Sequence, residues 1–216
     1  LFRSIYKLAV IANMKLQSLS SCGDIAVSVY SGWLAYSTFD HEWVKHQIED
    51  TTVEEVLIKN WPGLHIEPLQ APENMEVLIG WTGSPASSPH FVSEVKRLKS
   101  DPSFYGDFLE DSHRCVEKLI HAFKTNNIKG VQKMVRQNRT IIQRMDKEAT
   151  VDIETEKLKY LCDIAEKYHG ASKTSGAGGG DCGITIINKD VDKEKIYDEW
   201  TKHGIKPLKF NIYHGQ

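Results

Sequence analysis

The chain has 216 residues, of which 40% are hydrophobic and 26% are charged, and its formal net charge is −2. These values predict a soluble globular protein with one large domain or slightly more, and they argue against disorder. Because nucleic-acid-binding domains usually carry a basic surplus, the balanced charge also argues against a nucleic-acid partner.

The cysteines and the apolar runs argue against a disulfide-bonded, a metal-binding and a membrane-spanning protein. We predict free thiols in a reducing cytoplasm, and neither disulfides nor a metal bound by side chains, since no C-x-x-C pair occurs and no His lies at metal-ligand spacing. No apolar run reaches the roughly 18 residues of a membrane span, so no membrane partner is expected. The chain begins at Leu1 inside a helical pattern without a cap residue, so we expect it to be a fragment. The four cysteines are Cys22, Cys115, Cys162 and Cys182.

The first part of the chain alternates between helical and strand patterns. Apolar residues at helical spacing predict a first helix, and small residues then predict turns around a second, short helix. The predicted elements are a helix at 1–16, a turn at 20–24, a short helix at 25–30, a strand at 33–36, one or two surface helices within 41–59, and a strand at 64–69.

The second part contains a long helical region between strands. The order of strand, several helices, strand, helix and strand predicts an α+β sandwich, with helices on one face of a mostly antiparallel sheet. The predicted domains are 1–70 and 71–216. The predicted elements are a strand at 75–81, helices within 91–142, a helix at 155–168 that stops at Gly170, strands at 184–187 and 208–213, and a helix at 192–203.

The segment from Lys173 to Gly183, K-T-S-G-A-G-G-G-D-C-G, is the most distinctive in the chain, because five of its eleven residues are Gly. Such a segment lets the backbone approach a ligand closely and lets successive N–H groups point into one concavity, which favours an anion site. It lacks the Walker A pattern, and it is predicted to follow a helix and precede a strand, the reverse of the Rossmann order. A flexible connector is the alternative. An anion loop predicts that Gly178 or Gly179 has a positive φ or touches the ligand.

A carboxylate follows glycine in the turn S-S-C-G-D-I-A, which begins at Ser20. Asp24 is predicted either to cap the following helix or to serve as a functional carboxylate. In the second case it would orient or deprotonate an acceptor and help to position magnesium-bound phosphates.

Hydroxyl side chains surround a glycine in the segment G-W-T-G-S-P-A-S-S, which begins at Gly80. Its position between a predicted strand and a predicted helix suits the binding of phosphate oxygens by side chains and by helix N–H groups. An ordinary helix start, capped by Ser87 or Ser88, is the alternative.

Together these segments resemble the GHMP small-molecule kinases, in the form found in phosphomevalonate kinases. Lys173 to Gly183 matches the third motif of that family at every position. The segment around Asp24, which continues through Tyr30, Gly32 and Trp33, resembles the family pattern G-D-I-A-x-x-x-Y-G-G-W, and the segment from Gly80 to Ser87 resembles G-W-T-G-x-P-A-S. Asn138-Arg139 and Ile153-Glu154-Thr155 are weaker matches, and Ser20 and Ser31 stand where the family has Gly.

The resemblance implies a phosphotransferase that uses ATP and Mg²⁺ to convert 5-phosphomevalonate into 5-diphosphomevalonate in the mevalonate pathway of isoprenoid biosynthesis. It implies a ferredoxin-like GHMP C-terminal domain at 71–216, and a remnant of the N-terminal domain at 1–70. The first family motif and the G-L-G-S-S-A phosphate loop do not occur in the sequence, so the 216 residues alone are expected to be inactive. A cytoplasmic monomer or homodimer is expected.

The resemblance also implies roles for individual residues. Alternatives left open are another GHMP enzyme, such as a mevalonate kinase or a diphosphomevalonate decarboxylase, and a non-catalytic GHMP-like ligand-binding module. The intact Asp24 and the unbroken glycine segment favour the kinase. The implied roles are Asp24 as the catalytic or acceptor-orienting group; Ser21, Gly23, Thr82, Ser84, Ser87, Lys173 and Ser175 in substrate binding; and Gly176, Ala177, Gly178, Gly179, Gly180 and Asp181 in binding the phosphates of ATP.

Overall fold

A computed structural model describes residues 1–16, 20–85, 102–149, 151–176 and 178–213. It divides into two compact units, unit 1 with Leu1–Gln70 and Asn211–Gln216, and unit 2 with Ala71–Phe210. The predicted second domain, 71–216, therefore extends past the end of unit 2. The predicted α+β class is confirmed, and every strand pair in the described ranges is antiparallel.

Unit 1 packs four helices around a two-stranded sheet. Its core contains the buried side chains of Tyr6, Val10 and Trp61. The ammonium of Lys7, which is 3% exposed, donates to the backbone carbonyls of Leu57 and Lys59 at 2.8 and 2.5 Å. The elements of unit 1 are α1 (Phe2–Met14), α2 (Gly23–Tyr30), β1 (Trp33–Ser37), α3 (His41–Asp50), α4 (Val53–Ile58) and β2 (His65–Leu69).

Unit 2 contains a four-stranded sheet and four described helices. The strands lie in the order β4-β5-β3-β6, and α7 contacts both β4 and β5. The elements of unit 2 are β3 (Met75–Trp81), α5 (Pro102–Lys124), α6 (Ile128–Ala149), α7 (Glu156–Lys167), β4 (Ala171–Thr174), β5 (Cys182–Asn188), α8 (Lys193–Lys202) and β6 (Lys206–Leu208).

Two glycines let α7 lie directly on the sheet. Gly80 of β3 and Gly183 of β5 are paired across the two strands. A Cβ at Gly80 would lie 2.7 Å from Leu161 Cδ1, and one at Gly183 would lie 2.6 Å from Leu161 Cδ2. Gly183 therefore belongs to the glycine-rich segment for a packing reason, because a larger residue would occupy the space of the Leu161 side chain.

Two elements differ from the sequence predictions. Strand β4 was missed, and it pairs with β5 from Ala171 to Thr174. The last strand spans Lys206–Leu208, so the predicted strand at 208–213 is wrong; the carbonyl of Tyr213 instead accepts the Gly32 N–H of unit 1. The start of the predicted helical region, 91–101, lies outside the described residues. No helix within the described ranges is long and apolar enough to cross a bilayer.

Candidate active site

The glycine-rich segment connects two antiparallel strands. Lys173 and Thr174 belong to β4, and Cys182 and Gly183 belong to β5. The predicted position between a helix and a strand is therefore wrong, because Ala171 to Thr174 forms a strand that the sequence pattern did not indicate. We call residues 175–181 the glycine loop; within it, residue 177 lies outside the described residues.

Part of the backbone of the glycine loop is bound to the protein itself. The Gly179 N–H donates to the carbonyl of Ile153 at 2.7 Å, and the Asp181 N–H donates to the carbonyl of Ser84 at 2.6 Å. The Thr82 N–H donates in turn to the carbonyl of Asp181 at 2.8 Å, so that the β3–β5 ladder continues into the loop. The expectation that successive N–H groups of the loop all face one concavity is therefore wrong for Gly179 and Asp181.

The N–H groups of the other described glycines of the loop are not bonded to the protein. The N–H groups of Gly176, Gly178 and Gly180 have no hydrogen-bond acceptor in the part of the chain that the structure describes. The predicted positive φ is confirmed at Gly178 and Gly179, at 77° and 75°, and Gly180 lies at 123°. The N–H groups of Gly179 and Asp181 thus hold the loop to the protein. Of the three glycines with unbonded N–H groups, Gly176 is exposed and Gly178 and Gly180 are buried, so Gly176 is the donor that an anion reaches most directly.

The polar side chains near the loop differ in exposure. Ser84 and Ser175 are exposed, and Lys173 is half-buried. Burial lowers the pKa of the Lys173 ammonium, which donates to the carbonyl of Thr174 at 2.6 Å. Thr82 is only 1% exposed, and its Oγ1 has no hydrogen-bond partner among the described residues. The predicted site residues Ser87 and Ala177 lie outside the described residues.

A lysine that the sequence analysis did not single out lies beside the same loop. The Lys157 ammonium, at the start of α7, donates to the carbonyl of Thr82 at 2.9 Å. It also lies 4.0 Å from the position that a Cβ would take on Gly83. Lys157 lies two positions after Thr155, the last residue of the short match Ile153-Glu154-Thr155, and it contacts the segment from Gly80 to Ser88 that the sequence analysis singled out.

Asp24, Ser21 and Gly23 belong to unit 1. The N-cap of α2 is Cys22, at φ 56° and ψ 20°, so the interpretation of Asp24 as the N-cap is wrong. Asp24 lies within the first turn and is exposed. Its carboxylate makes no hydrogen bond or ion pair with any described residue. The helix macrodipole favours an acidic residue in the first turn, and no contact with a described residue gives a further reason for an acidic residue at position 24.

A pair of tyrosines holds the turn before Asp24. The Tyr36 hydroxyl donates to the carbonyl of Ser21 at 2.5 Å and lies 2.8 Å from the Tyr6 hydroxyl. Since Tyr36 uses its own proton on Ser21, Tyr6 is the donor in the pair. Burial, together with this hydrogen bond, raises the pKa of Tyr6 well above its usual range, so the link is intact throughout the physiological pH range.

The helix that carries Asp24 ends in a strained residue. Ser31, the C-cap of α2, has φ 63° and ψ 170°, a combination that is almost confined to glycine. The sequence resemblance placed Gly at this position, and the backbone conformation gives the physical reason. Ser20, the other departure, uses its hydroxyl to accept the Cys22 N–H at 3.2 Å.

A resident metal site is not found in the described ranges, where no group of three or more metal-ligating side chains occurs. Magnesium bound to nucleotide phosphates does not need such a group, since it usually takes one or two carboxylates and completes its shell with phosphates and water. The exposed carboxylate of Asp24 suits such a ligand chemically.

Comparison with known proteins gives one family model and several relatives. The family model GHMP kinases C terminal matches residues 119–206. A phosphomevalonate kinase of Streptomyces sp. (strain CL190) is 34% identical over 206 residues, which cover 94% of this chain and 55% of the relative. The chain therefore spans little more than half the length of that relative.

Solved structures agree with these matches. A Lin0012 protein from Listeria innocua has a TM-score of 0.91 and 39% identity over 98% of this chain and 59% of its own. A phosphomevalonate kinase of Streptococcus pneumoniae, solved with phosphomevalonate and AMPPNP, has a TM-score of 0.84 and 26% identity over 96% of this chain and 60% of its own. Residues 119–206 therefore match the C-terminal domain of the GHMP kinases, and the chain is similar to phosphomevalonate kinases over most of its length.

Proposed function

We propose that this chain is part of a kinase that transfers the γ-phosphate of magnesium-bound ATP to the phosphate of 5-phosphomevalonate, in the mevalonate pathway of isoprenoid biosynthesis. The observation that carries the proposal is the 34% identity to a phosphomevalonate kinase over 94% of the chain. The Streptococcus pneumoniae homologue was solved with both kinds of ligand that the reaction requires.

The glycine loop supplies donors of the kind that the reaction needs. The N–H group of Gly176 lies on an exposed residue and would bind a phosphate oxygen directly, whereas Gly178 and Gly180 are buried and their N–H groups would do so only after the loop rearranges. The exposed hydroxyls of Ser84 and Ser175 lie in the same unit. Backbone donors fixed before the substrate binds stabilise the charge that develops on a transferring phosphoryl group without a cost of reorganisation. In this proposal, these groups bind and orient the phosphates.

The reaction itself places a small demand on proton transfer. A phosphate oxygen of phosphomevalonate forms a bond to the γ-phosphorus of ATP, the bond between that phosphorus and the β–γ bridging oxygen breaks, and ADP leaves. Since the second pKa of a phosphate monoester is about 6, the acceptor is already an oxyanion at neutral pH. The proposed role of Asp24 is therefore to orient charge rather than to remove a proton, which suits a reaction governed by positioning.

Several finer features remain predictions. They are the requirement for magnesium, the cytoplasmic location, the monomeric or homodimeric state, and the individual roles of the implied site residues. Thr82 is almost fully buried, so its hydroxyl would contact a substrate only after a rearrangement.

Product analysis of the complete protein tests the proposed function. The purified protein would be incubated with magnesium and ATP in three separate reactions, which contain mevalonate, phosphomevalonate or diphosphomevalonate. The products of each reaction would be followed by ³¹P NMR. We expect ADP and diphosphomevalonate to form in equal amounts from phosphomevalonate only. Phosphorylation of mevalonate or decarboxylation of diphosphomevalonate would assign another GHMP activity, and no turnover of any of the three would indicate a ligand-binding module.

A further inference from the structure

A polar cluster lies behind the glycine loop, on the side of α6 and α7. The cluster is centred on Glu154, in the connector from Val151 to Thr155 between these helices. The Arg139 guanidinium of α6 binds the Glu154 carboxylate through two nitrogens, at 2.8 and 2.5 Å. Both side chains are largely buried, with Arg139 13% and Glu154 4% exposed. Two parallel hydrogen bonds between buried charges fix orientation as well as distance.

Further contacts fix the backbone of the connector. The carboxylate of Asp146 accepts the N–H groups of Ile153 and Glu154 at 2.8 and 3.0 Å. The amide of Gln143 donates to both carboxylate oxygens of Glu154 at 3.2 Å. The connector is therefore held to α6 by its side chain and by its main chain at the same residue, which leaves its carbonyl groups in a defined direction.

Ile153 passes this constraint to the glycine loop. Its carbonyl accepts the Gly179 N–H at 2.7 Å. The same residue fills the place of a side chain on Gly178, where a Cβ would lie 2.3 Å from Ile153 Cγ2 and 2.5 Å from its carbonyl oxygen. Two successive loop residues thus rest on one connector residue, and Glu154 is the next residue along the chain.

We propose that Arg139 and Glu154 are positioning residues for the glycine loop, and that they set the direction of its free N–H groups through Ile153. This inference rests on the proposed function for its catalytic consequence, but its structural part concerns the loop alone. It gives one reason for two short matches that looked unrelated in the sequence, Asn138-Arg139 and Ile153-Glu154-Thr155. Their side chains meet although 15 positions separate Arg139 from Glu154.

A matched ion pair provides the control. Arg136 and Glu166 also join α6 to α7, at 2.6 Å between Arg136 Nε and Glu166 Oε2. Glu166 lies near the C-terminal end of α7 and touches neither the connector nor the glycine loop in the described ranges. Glu154→Gln and Glu166→Gln each remove one carboxylate that binds an arginine of α6, the first from the connector and the second from α7, and only the first should alter the loop.

Hydrogen exchange of the complete protein tests the structural part. We expect Glu154→Gln to raise the exchange rate of the Gly179 amide by about 10-fold or more, because that amide exchanges when the connector opens locally. Glu166→Gln should leave the rate within about twofold. A folded Glu154→Gln protein with unchanged Gly179 exchange would overturn the proposal, as would an equal increase in the control.

Two further measurements complete the test. If Glu154→Gln does not fold, Gln143→Ala takes its place, because Gln143 is exposed and its truncation removes only one donor to Glu154. We expect a smaller increase in the exchange rate of the Gly179 amide. An unchanged rate would overturn the proposal. In kinetics, Glu154→Gln should lower kcat/KM for ATP by about 10-fold or more relative to Glu166→Gln, since misplaced binding groups lose rate. Equal values in the two folded variants would overturn the catalytic part. A wild-type protein without phosphomevalonate kinase activity would refute the proposed function and leave the exchange result standing.

Discussion

Replacing Gly178 by alanine should destabilise the protein whether or not the loop binds a phosphate. Gly178 has φ 77°, a conformation that costs an L-residue about 1–2 kcal/mol. The new Cβ would also lie 2.5 Å from the carbonyl oxygen of Ile153, and the backbone there cannot rotate away as a side chain can. Overpacking of this kind costs about 1–3 kcal/mol, so the expected loss is about 2–5 kcal/mol.

Gly176→Ala is the matched control, because the same substitution two residues away meets a different environment. Gly176 is exposed, has no left-handed φ, and no atom of the described residues lies within 4 Å of its ideal Cβ position. Alanine there should leave stability unchanged or raise it by about 0.4–1 kcal/mol through the unfolded chain. If Gly176 faces the phosphates of ATP, kcat/KM should nevertheless fall, because the methyl group enters the space of the ligand.

Urea unfolding of the complete protein measures both free energies, and steady-state kinetics measures the effect on ATP. A Gly178→Ala protein within about 0.5 kcal/mol of the wild type would refute the argument from Ile153, since that is the size of an ordinary surface substitution. A Gly176→Ala protein that is stable and fully active would refute the phosphate-binding role at that position. Gly178 cannot make this distinction, because a connector and an anion loop both predict a loss there.

Two predictions concern α2. Ser31→Gly should raise the free energy of unfolding by about 1 kcal/mol. It relieves a backbone conformation that costs about 1–3 kcal/mol, but part of this gain is lost because glycine gives the unfolded chain more conformational entropy. A urea titration that shows a less stable variant would contradict the argument that Ser31 is strained. Asp24→Asn should lower kcat by about 10²-fold or more, the effect of losing an electrostatic or acid–base group, while stability falls by no more than the roughly 0.3–1 kcal/mol of a macrodipole contact. A near-normal kcat in that variant would mean that Asp24 contributes only its interaction with the helix macrodipole.

The pattern of apolar residues was sufficient for the elements with a strong period. Strand β3 was predicted at 75–81 and is observed at Met75–Trp81, and α2 and β1 also lie within one or two residues of their predicted positions. Strand β4 escaped prediction because A-S-K-T offers no large apolar side chain. It is a strand because its partner β5 is buried and because the Ser172 hydroxyl bonds Thr185 at 2.8 Å across the pair. Pairing with the next strand across a long glycine loop leaves no signal within the four residues themselves.

The candidate site shows the same limit. The sequence identified the glycine loop and the carboxylate of Asp24, since both belong to recognisable local patterns. It could not show that Cys22 takes the cap position with a left-handed backbone, because Cys carries no capping preference that a pattern could register. Nor could it show that Arg139 binds Glu154, because that contact depends on how α6 and α7 pack.

The glycines of the motif illustrate why a matching sequence does not by itself assign function. Gly183 is required because Leu161 of α7 occupies the space of its side chain, and Gly178 is required by its positive φ and by Ile153. Neither requirement involves a ligand, and a protein that had lost catalysis would still keep both to preserve its fold. Gly176 has no such structural requirement in the described ranges. Because no packing contact or backbone conformation in the described ranges accounts for glycine there, Gly176→Ala tests phosphate binding by the loop separately from its packing.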